Sequence, residues 1–398
     1  MTAVLDLFIA ATIPVMNVLL TTALGLYLAL DHVNIMGDET RKHMNNVVFY
    51  VFNPALVASN LAQTITYESM VKLWFMPFNV LLTFVIGSIL GWIVIQLTRP
   101  PSHLRGLILA SCAAGNMGNM LLIIIPAVCK EKGSPFGSPD VCQSLGMGYV
   151  SLSMALGAIY LWSYVFNIVR MYSTTSINDS TTEPLLSKDL LPPPHHKENQ
   201  FLLPCTSCKD KAEATLSSKI KHNFNLLIAK MNLKALFAPS TTGVIVGFVI
   251  GLVPQIRKLL IGDNAPLRAI QDSTYIVGNG AIPTLTLIMG GNLLKGLRGS
   301  GVQKSIILGI IVARYIALPL IGVVIVKGAS YIGFVHDDPL FQFILLLQFA
   351  VPPAMNIGTI VQLFGTGESE CSVIMLWTYA LASVSLTLWS TFFMWLVA

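Results

Sequence analysis

The chain has 398 residues, of which 54% are hydrophobic and only 11% are charged, and its formal net charge is +5. About a quarter of the residues in a soluble domain are charged, so this composition excludes an ordinary soluble enzyme and indicates an all-α integral membrane protein. At about 20 apolar residues per crossing, the sequence predicts ten transmembrane helices. They lie at residues 7–30, 44–65, 73–97, 104–128, 146–170, 233–255, 270–293, 303–326, 340–363 and 371–397.

The first span begins a few residues after Met1 and lacks both a basic leader and a convincing cleavage site. It is therefore predicted to be a retained helix rather than a cleaved signal. Sixteen Lys and Arg residues fall on the side of the long loop after span five, and seven fall on the other side. The positive-inside rule then predicts a cytosolic central loop and two termini outside the cell or in a lumen, an orientation that depends on the loop alone.

Polar residues and glycines interrupt span four. The stretch AAGNMGNMLLIIIP begins at Ala113 and places Gly115 and Gly118 where each lowers helix stability by about 1 kcal/mol relative to Ala. Its Asn116 and Asn119 can hydrogen-bond a ligand or freed carbonyl groups. These residues predict a broken helix that faces a polar cavity rather than lipid.

Residues near this break extend the candidate site. In span two, Asn53 lies in the stretch FNPALVASN and is a candidate for a wall that faces the ligand; a packed kink is the alternative. Tyr149 and Ser153, at the start of span five, are predicted to border the break, although aromatic residues near span ends more often form interfacial belts. Cys129 and Cys142 flank the loop between spans four and five, which leaves a disulfide open.

Residues 173–230 are rich in Ser, Thr, Pro and charge, and cannot bury enough apolar surface to fold. They predict a disordered cytosolic loop with an amphipathic end that lies on the membrane surface. The loop separates an N-terminal five-helix repeat at 1–172 from a C-terminal one at 231–398. Within it, Cys205 and Cys208 follow two histidines, but a second close cysteine pair is missing, so we predict no metal site and no cofactor.

Span eight contains Arg314, a strong charge near the centre of an apolar segment. A buried, unpaired cation is costly, so this side chain should face a cavity or a partner. It either attracts a substrate carboxylate or bonds helix-end carbonyl groups. No Asp or Glu lies near the middle of any predicted span, which favours uncoupled movement of an anion over coupling through a buried carboxylate.

Span nine is interrupted in the stretch QFAVPPAMNIG, where Pro352 and Pro353 each remove a backbone donor and break the helix. Gln348 and Asn356 are polar candidates on either side. Because each half has five spans, the second half enters from the opposite side, and any repeat is inverted. Corresponding breaks in two such halves indicate a transporter's binding site, where half-helix N-termini attract an anion such as a carboxylate.

The order of spans, the central loop and the motifs FNPALVASNLA, GNMGNMLLIIIPAVC and VPPAMNIGTIVQLFG resemble the plant PIN-LIKES carriers, relatives of the PIN auxin exporters. The resemblance covers essentially the whole chain except the loop. It implies an auxin transport facilitator of the endoplasmic reticulum membrane with an elevator-type fold. Spans one, two, six and seven would form the scaffold, with helices four and nine crossing at the substrate. A homodimer through scaffold helices is left open.

We therefore expect a carrier that moves indole-3-acetic acid or a similar small organic anion by alternating access. Two alternatives stay open: a membrane sensor that binds the same ligand without moving it, and a sodium-coupled organic-anion symporter. An enzyme is not expected, because no Ser/His/Asp or metal-ligand cluster falls at one depth. The expected partners are the ligand and the lipid bilayer, and no nucleic acid is expected.

Overall fold

The computed structural model describes residues 2–131, 134–180, 239–297, 301–365 and 367–398. Most of the predicted loop lies outside the described residues, including its amphipathic end and the segment with His195, His196, Cys205 and Cys208.

The regular secondary structure of the described residues is helical, and their only β pairing is one isolated bridge. The first half contains α1 (Thr2–Leu28), α2 (Asp38–Val47), α3 (Asn53–Thr64), α4 (Tyr67–Lys72), α5 (Phe75–Thr98), α6 (Ser102–Ala113), α7 (Asn119–Lys130), α8 (Pro139–Tyr160) and α9 (Phe166–Ser180). The second half contains α10 (Pro239–Leu252), α11 (Pro254–Leu260), α12 (Arg268–Asn279), α13 (Ala281–Leu297), α14 (Lys304–Val312), α15 (Leu318–Ile332), α16 (Pro339–Ala350), α17 (Asn356–Phe364) and α18 (Glu368–Val397). Three π-helical turns, Val48–Phe52, Leu161–Val165 and Ala313–Ala317, join α2 to α3, α8 to α9 and α14 to α15.

Within the described residues, four continuous helical stretches are long and apolar enough to cross a membrane. They are Phe75–Thr98, Pro139–Ser173, Lys304–Ile332 and Glu368–Val397, and a pair bent by 99°, Thr241–Leu252 with Pro254–Leu260, is a fifth candidate. Where its residues are described, each of the ten predicted spans falls on one helix or on successive helices. Breaks such as those in spans four and nine divide a span into shorter helices. Helix α9 continues to Ser180, past the predicted boundary at 172.

Two pairs of helices from opposite halves pack closely. Helix α1 lies along α13, and α3 lies along α10 and also contacts α12. On α10, Gly243 and Gly247 face α3, and a Cβ atom at Gly243 would lie 2.5 Å from the carbonyl oxygen of Pro54. This spacing of small residues allows the two backbones to approach, which is the usual device for packing helices in a membrane.

A disulfide joins the ends of two neighbouring helices. Cys129, in the last turn of α7, is bonded to Cys142 near the start of α8. The pairing that the sequence left open is therefore present, and it closes the short connection between these helices.

Replacing Gly243 with Ala should separate α10 from α3, because the added methyl group meets backbone atoms that cannot rotate away. Overpacking of this kind costs about 1–3 kcal/mol, so the melting temperature of the purified protein in detergent should fall by several degrees. The matched control is Gly328→Ala in α15, where a Cβ atom would meet nothing within 4 Å. Equal melting temperatures for the two variants would contradict the close contact.

Candidate functional site

Two interrupted helices meet at their breaks. Residues 114–118 separate α6 from α7, and residues 351–355 separate α16 from α17; we call these the first break and the second break. At the first, Gly118 has φ −100° and ψ −82°, and at the second, Val351 is extended with ψ 149°. Glycine in the first break and proline in the second thus end each helix where the sequence predicts.

The two breaks pair as a short antiparallel bridge between Gly115 and Pro353. The N–H of Asn116 donates to the carbonyl oxygen of Pro352 at 2.8 Å, and the N–H of Ala354 donates to that of Ala114 at 3.0 Å. A backbone group left unpaired in an apolar interior costs several kcal/mol, so each break supplies partners that the other lacks. The predicted meeting of the two interrupted segments is confirmed.

Arg314 joins the two helix ends that stop at the breaks. Its guanidinium donates from Nη1 to the carbonyl oxygen of Cys112 at 3.1 Å, at the end of α6. From Nη2 it donates to the carbonyl oxygens of Val351 at 2.9 Å and Pro352 at 3.1 Å, just after α16. A cation suits this position, because helix C-termini carry a partial negative charge.

The side chain of Arg314 is 0% exposed and does not line the neighbouring cavity. Of the two interpretations left open by the sequence, the geometry matches the one in which Arg314 bonds helix-end carbonyl groups. Gly115 makes room for it, since a Cβ atom at residue 115 would lie 2.7 Å from Nη2. A glycine at residue 115 thus leaves space for the guanidinium of Arg314 in addition to weakening the helix.

A cleft opens beside the bridge. Its polar lining comes from Asn53, Asn116, Asn119 and Asn356, all of them predicted site residues, and we call it the asparagine cleft. These side chains come from α3, the first break and the first residues of α7 and α17. No charged side chain is among the lining residues.

The asparagine cleft combines hydrogen-bonding groups with an apolar wall. Helices α7 and α17 both begin at it, so their positive dipole ends lie at its edge. In the first turn of α17, the N–H groups of Ile357 and Gly358 already donate to the carbonyl oxygens of Ala354 and Met355. The remaining wall is largely apolar: Val57, Met117, Met154, Ala158, Leu161, Trp162, Ala354 and Met355. Such a mixture of a few polar groups and apolar surface is typical of a small-molecule site.

Trp162 is the aromatic member of this wall. Its ring packs on Phe49 with centroids 5.0 Å apart, and each residue lies in one of the π-helical turns. Within the described part of the chain its buried Nε1 has no hydrogen-bond partner. This buried donor thus belongs to a residue that lines the cleft, and π-helical turns are frequent at functional sites.

Sequence reasoning missed Tyr379, which lies on α18. Its hydroxyl donates to the carbonyl oxygen of Pro353 at 2.7 Å and accepts from Nδ2 of Asn116 at 2.9 Å. It therefore touches both breaks. Nothing local distinguishes this tyrosine in the apolar stretch around it, since both of its contacts are far away in the sequence.

The other predicted residues lie outside the lining of the cleft. Pro352 and Pro353 form the bridge itself. Gln348 and Ser153 belong to a buried network in which Gln348 donates to Ser153 Oγ at 2.8 Å and accepts from Asn79 at 2.7 Å. The Ser153 hydroxyl in turn donates to the carbonyl oxygen of Met117 at 3.3 Å, so Ser153 borders the first break as predicted. The hydrogen bonds of Gln348 link α16 to α8 and α5 just before the second break.

Tyr149 is farther from the breaks than predicted. Its hydroxyl donates to the carboxylate of Asp338 at 2.7 Å, and Asp338 caps the N-terminus of α16 by accepting from the N–H groups of Leu340 and Phe341. The residue joins the middle of α8 to the N-terminus of α16 rather than bordering the first break. In the described part of the chain, no group of three or more His, Cys, Asp or Glu residues could hold a metal ion.

Comparison with known proteins adds an independent observation. The sequence pattern of a family described as "Membrane transport protein" matches residues 10–390. The chain is 58% identical to Protein PIN-LIKES 1 of Arabidopsis thaliana over 400 residues, which is 99% of this chain and 81% of that protein. It is 57% identical to Protein PIN-LIKES 3 over all of both chains, and 50% identical to Protein PIN-LIKES 4 over 99% of both.

Replacing Arg314 with Lys should destabilise the protein strongly, because an ammonium group cannot reach the carbonyl groups at both helix ends. Losing charge-assisted bonds at a fully buried position should cost about 3 kcal/mol or more, seen as a lower melting temperature in detergent.

Arg257→Lys is the matched control. Arg257 also bonds three helix-end carbonyls, those of Ala62, Gln63 and Ile65, but it is partly exposed, so water can replace the lost bonds. We expect a clearly smaller decrease for this variant. A decrease as large as that of Arg314→Lys would contradict the role of burial.

Proposed function

The chain belongs to the membrane transport protein family and, within it, resembles the PIN-LIKES proteins over its full length; we propose that it carries a small organic anion of the indole-3-acetate type by alternating access. The observation that carries this proposal is the asparagine cleft, which lies between two half-helix N-termini at the meeting of two broken helices. The cleft offers amide donors and helix dipoles to a carboxylate. Its Trp162 and methionine wall offers an apolar surface to an aromatic ring.

The proposed architecture is ten transmembrane helices in two inverted five-helix repeats, residues 1–172 and 231–398. The contacts of α1 with α13 and of α3 with α10 and α12 support a scaffold built from spans one, two, six and seven. The remaining spans, with the two breaks, form the unit that moves past it in an elevator-type mechanism. Asn53 on α3 then faces the substrate from the scaffold, while Asn116, Asn119 and Asn356 move with it.

The proposed location is the endoplasmic reticulum membrane, with the central loop cytosolic and both termini lumenal. The disulfide between Cys129 and Cys142 supports this orientation independently of the basic loop, because disulfides persist in oxidising compartments such as the lumen. The connection between α7 and α8 would therefore be lumenal. That is the side to which the positive-inside rule assigns it.

We propose uncoupled transport. No carboxylate lines the asparagine cleft, and Arg314, the buried cation nearby, is occupied by carbonyl groups. A site that offers amides and helix N-termini can bind an anion without a coupling ion. Binding then depends on the ligand's own charge.

Proteoliposomes with purified protein should show saturable uptake of radiolabelled indole-3-acetate, and the flux should persist without a sodium gradient. Strict dependence on sodium would favour the symporter. Binding without flux above that of protein-free liposomes would favour a sensor and contradict the carrier.

Asn119→Ala and Asn356→Ala should each lower the efficiency of this uptake by about tenfold, the equivalent of one lost hydrogen bond to a charged ligand. The matched control is Asn167→Ala, because among the described residues the Asn167 amide bonds only to the carbonyl oxygen of Ser163 in its own helical segment, outside the cleft. Uptake by the control should stay within twofold of the unsubstituted protein. Unchanged uptake in both cleft variants would remove the asparagine cleft as the substrate site.

A further inference from the structure

Tyr379 controls which atoms of Asn116 are available to a ligand. A peptide carbonyl can only accept, so the single proton of the Tyr379 hydroxyl is committed to Pro353 O, 2.7 Å away. The hydroxyl oxygen can then only accept from Asn116, 2.9 Å away. Only the amide nitrogen of an asparagine can donate, so Nδ2 must face Tyr379 and Oδ1 must point away from it.

The rest of Asn116 is held as well. Its backbone N–H donates to Pro352 O at 2.8 Å, and the residue is 5% exposed, so the side chain has little freedom. Among the described residues, Oδ1 of Asn116 has no hydrogen-bond partner, although the residue lines the asparagine cleft. The cleft therefore contains one hydrogen-bond acceptor of fixed orientation, Oδ1 of Asn116, among groups that otherwise suit an anion.

We infer that Tyr379 is a positioning residue that fixes the Asn116 amide so that its oxygen accepts a hydrogen bond from an N–H or O–H group of the ligand. The inference rests on the proposed function only in placing the ligand in the asparagine cleft. It adds a selectivity rule: the ligand is an organic anion that also carries a donor at a distance from its carboxylate, as the ring N–H of an indole does.

The test compares two acids of nearly equal shape. Indole-3-acetate has a ring N–H, and benzofuran-3-acetate has an oxygen in its place, which would put a lone pair against Oδ1. The dissociation constant of each radiolabelled acid is measured by equilibrium dialysis with purified protein in detergent. We expect indole-3-acetate to bind about tenfold more tightly, because a lost bond leaves the acceptor unpaired.

Tyr379→Phe should reduce this preference to about twofold or less. The ring is retained, but without the hydroxyl the Asn116 amide can turn and present its nitrogen instead. The matched control is Tyr315→Phe, which removes the bond from another buried tyrosine hydroxyl to a carbonyl oxygen, that of Thr378, without touching Asn116. This control should keep the tenfold preference.

Four results would overturn the inference: equal binding of the two acids to the unsubstituted protein, binding of neither acid, an unchanged preference in Tyr379→Phe, or the same loss of preference in both phenylalanine variants. The first two results are measured on the unsubstituted protein, so the inference can still be contradicted if the Tyr379→Phe variant does not fold. Since binding is measured apart from flux, a protein that shows the preference but no saturable uptake would overturn the carrier and support the role of Tyr379.

Discussion

The structure depends on one constraint: polar backbone groups that a broken helix frees inside a membrane must find partners within the protein. Two broken helices satisfy this constraint by meeting. Asn116 and Ala354 donate their N–H groups across the crossing to carbonyl groups of the opposite break. Neither break has these partners without the other, so the two halves of the chain must assemble around this contact.

The crossing separates the two kinds of helix end. The carbonyl ends of α6 and α16 point to one guanidinium, that of Arg314, which is fully buried and bonds both. The amide ends of α7 and α17 open instead on the asparagine cleft. The negative ends are therefore neutralised by the protein, whereas the positive ends face the cleft, and this asymmetry supports the assignment of an anion. In α17, the N–H groups of Ile357 and Gly358 donate to the carbonyl oxygens of Ala354 and Met355, so the first turn of α7 offers the freer donors.

The sequence predicted what local chemistry determines. Gly115 and Pro353 have backbone properties that weaken or end a helix wherever they occur, so the breaks were placed correctly. Four of the ten predicted site residues line the cleft, because a polar side chain at a break has few other partners. The residue type of Arg314 indicated a partner, but only the fold shows that the partners are carbonyl groups on two other helices.

Long-range contacts account for what was missed. Tyr379 and Asn116 are 263 residues apart, and Gln348 and Asn79 are 269 apart, so no spacing rule relates them. Tyr149 and Ser153 were both predicted to border the first break; Ser153 does so, because its hydroxyl donates to the carbonyl oxygen of Met117, whereas the hydroxyl of Tyr149 bonds Asp338 at the start of α16. The three π-helical turns were not predicted either, since no residue type specifies them.

The disulfide has a mechanical consequence for the cleft. Helix α7 has Cys129 at one end and Asn119 at the other, and α8 begins near Cys142 and supplies Met154 farther along. The disulfide thus links two helices that both line the asparagine cleft. A sliding movement of one relative to the other would strain a covalent bond, so α7 and α8 move as one wall of the asparagine cleft when they shift past α3.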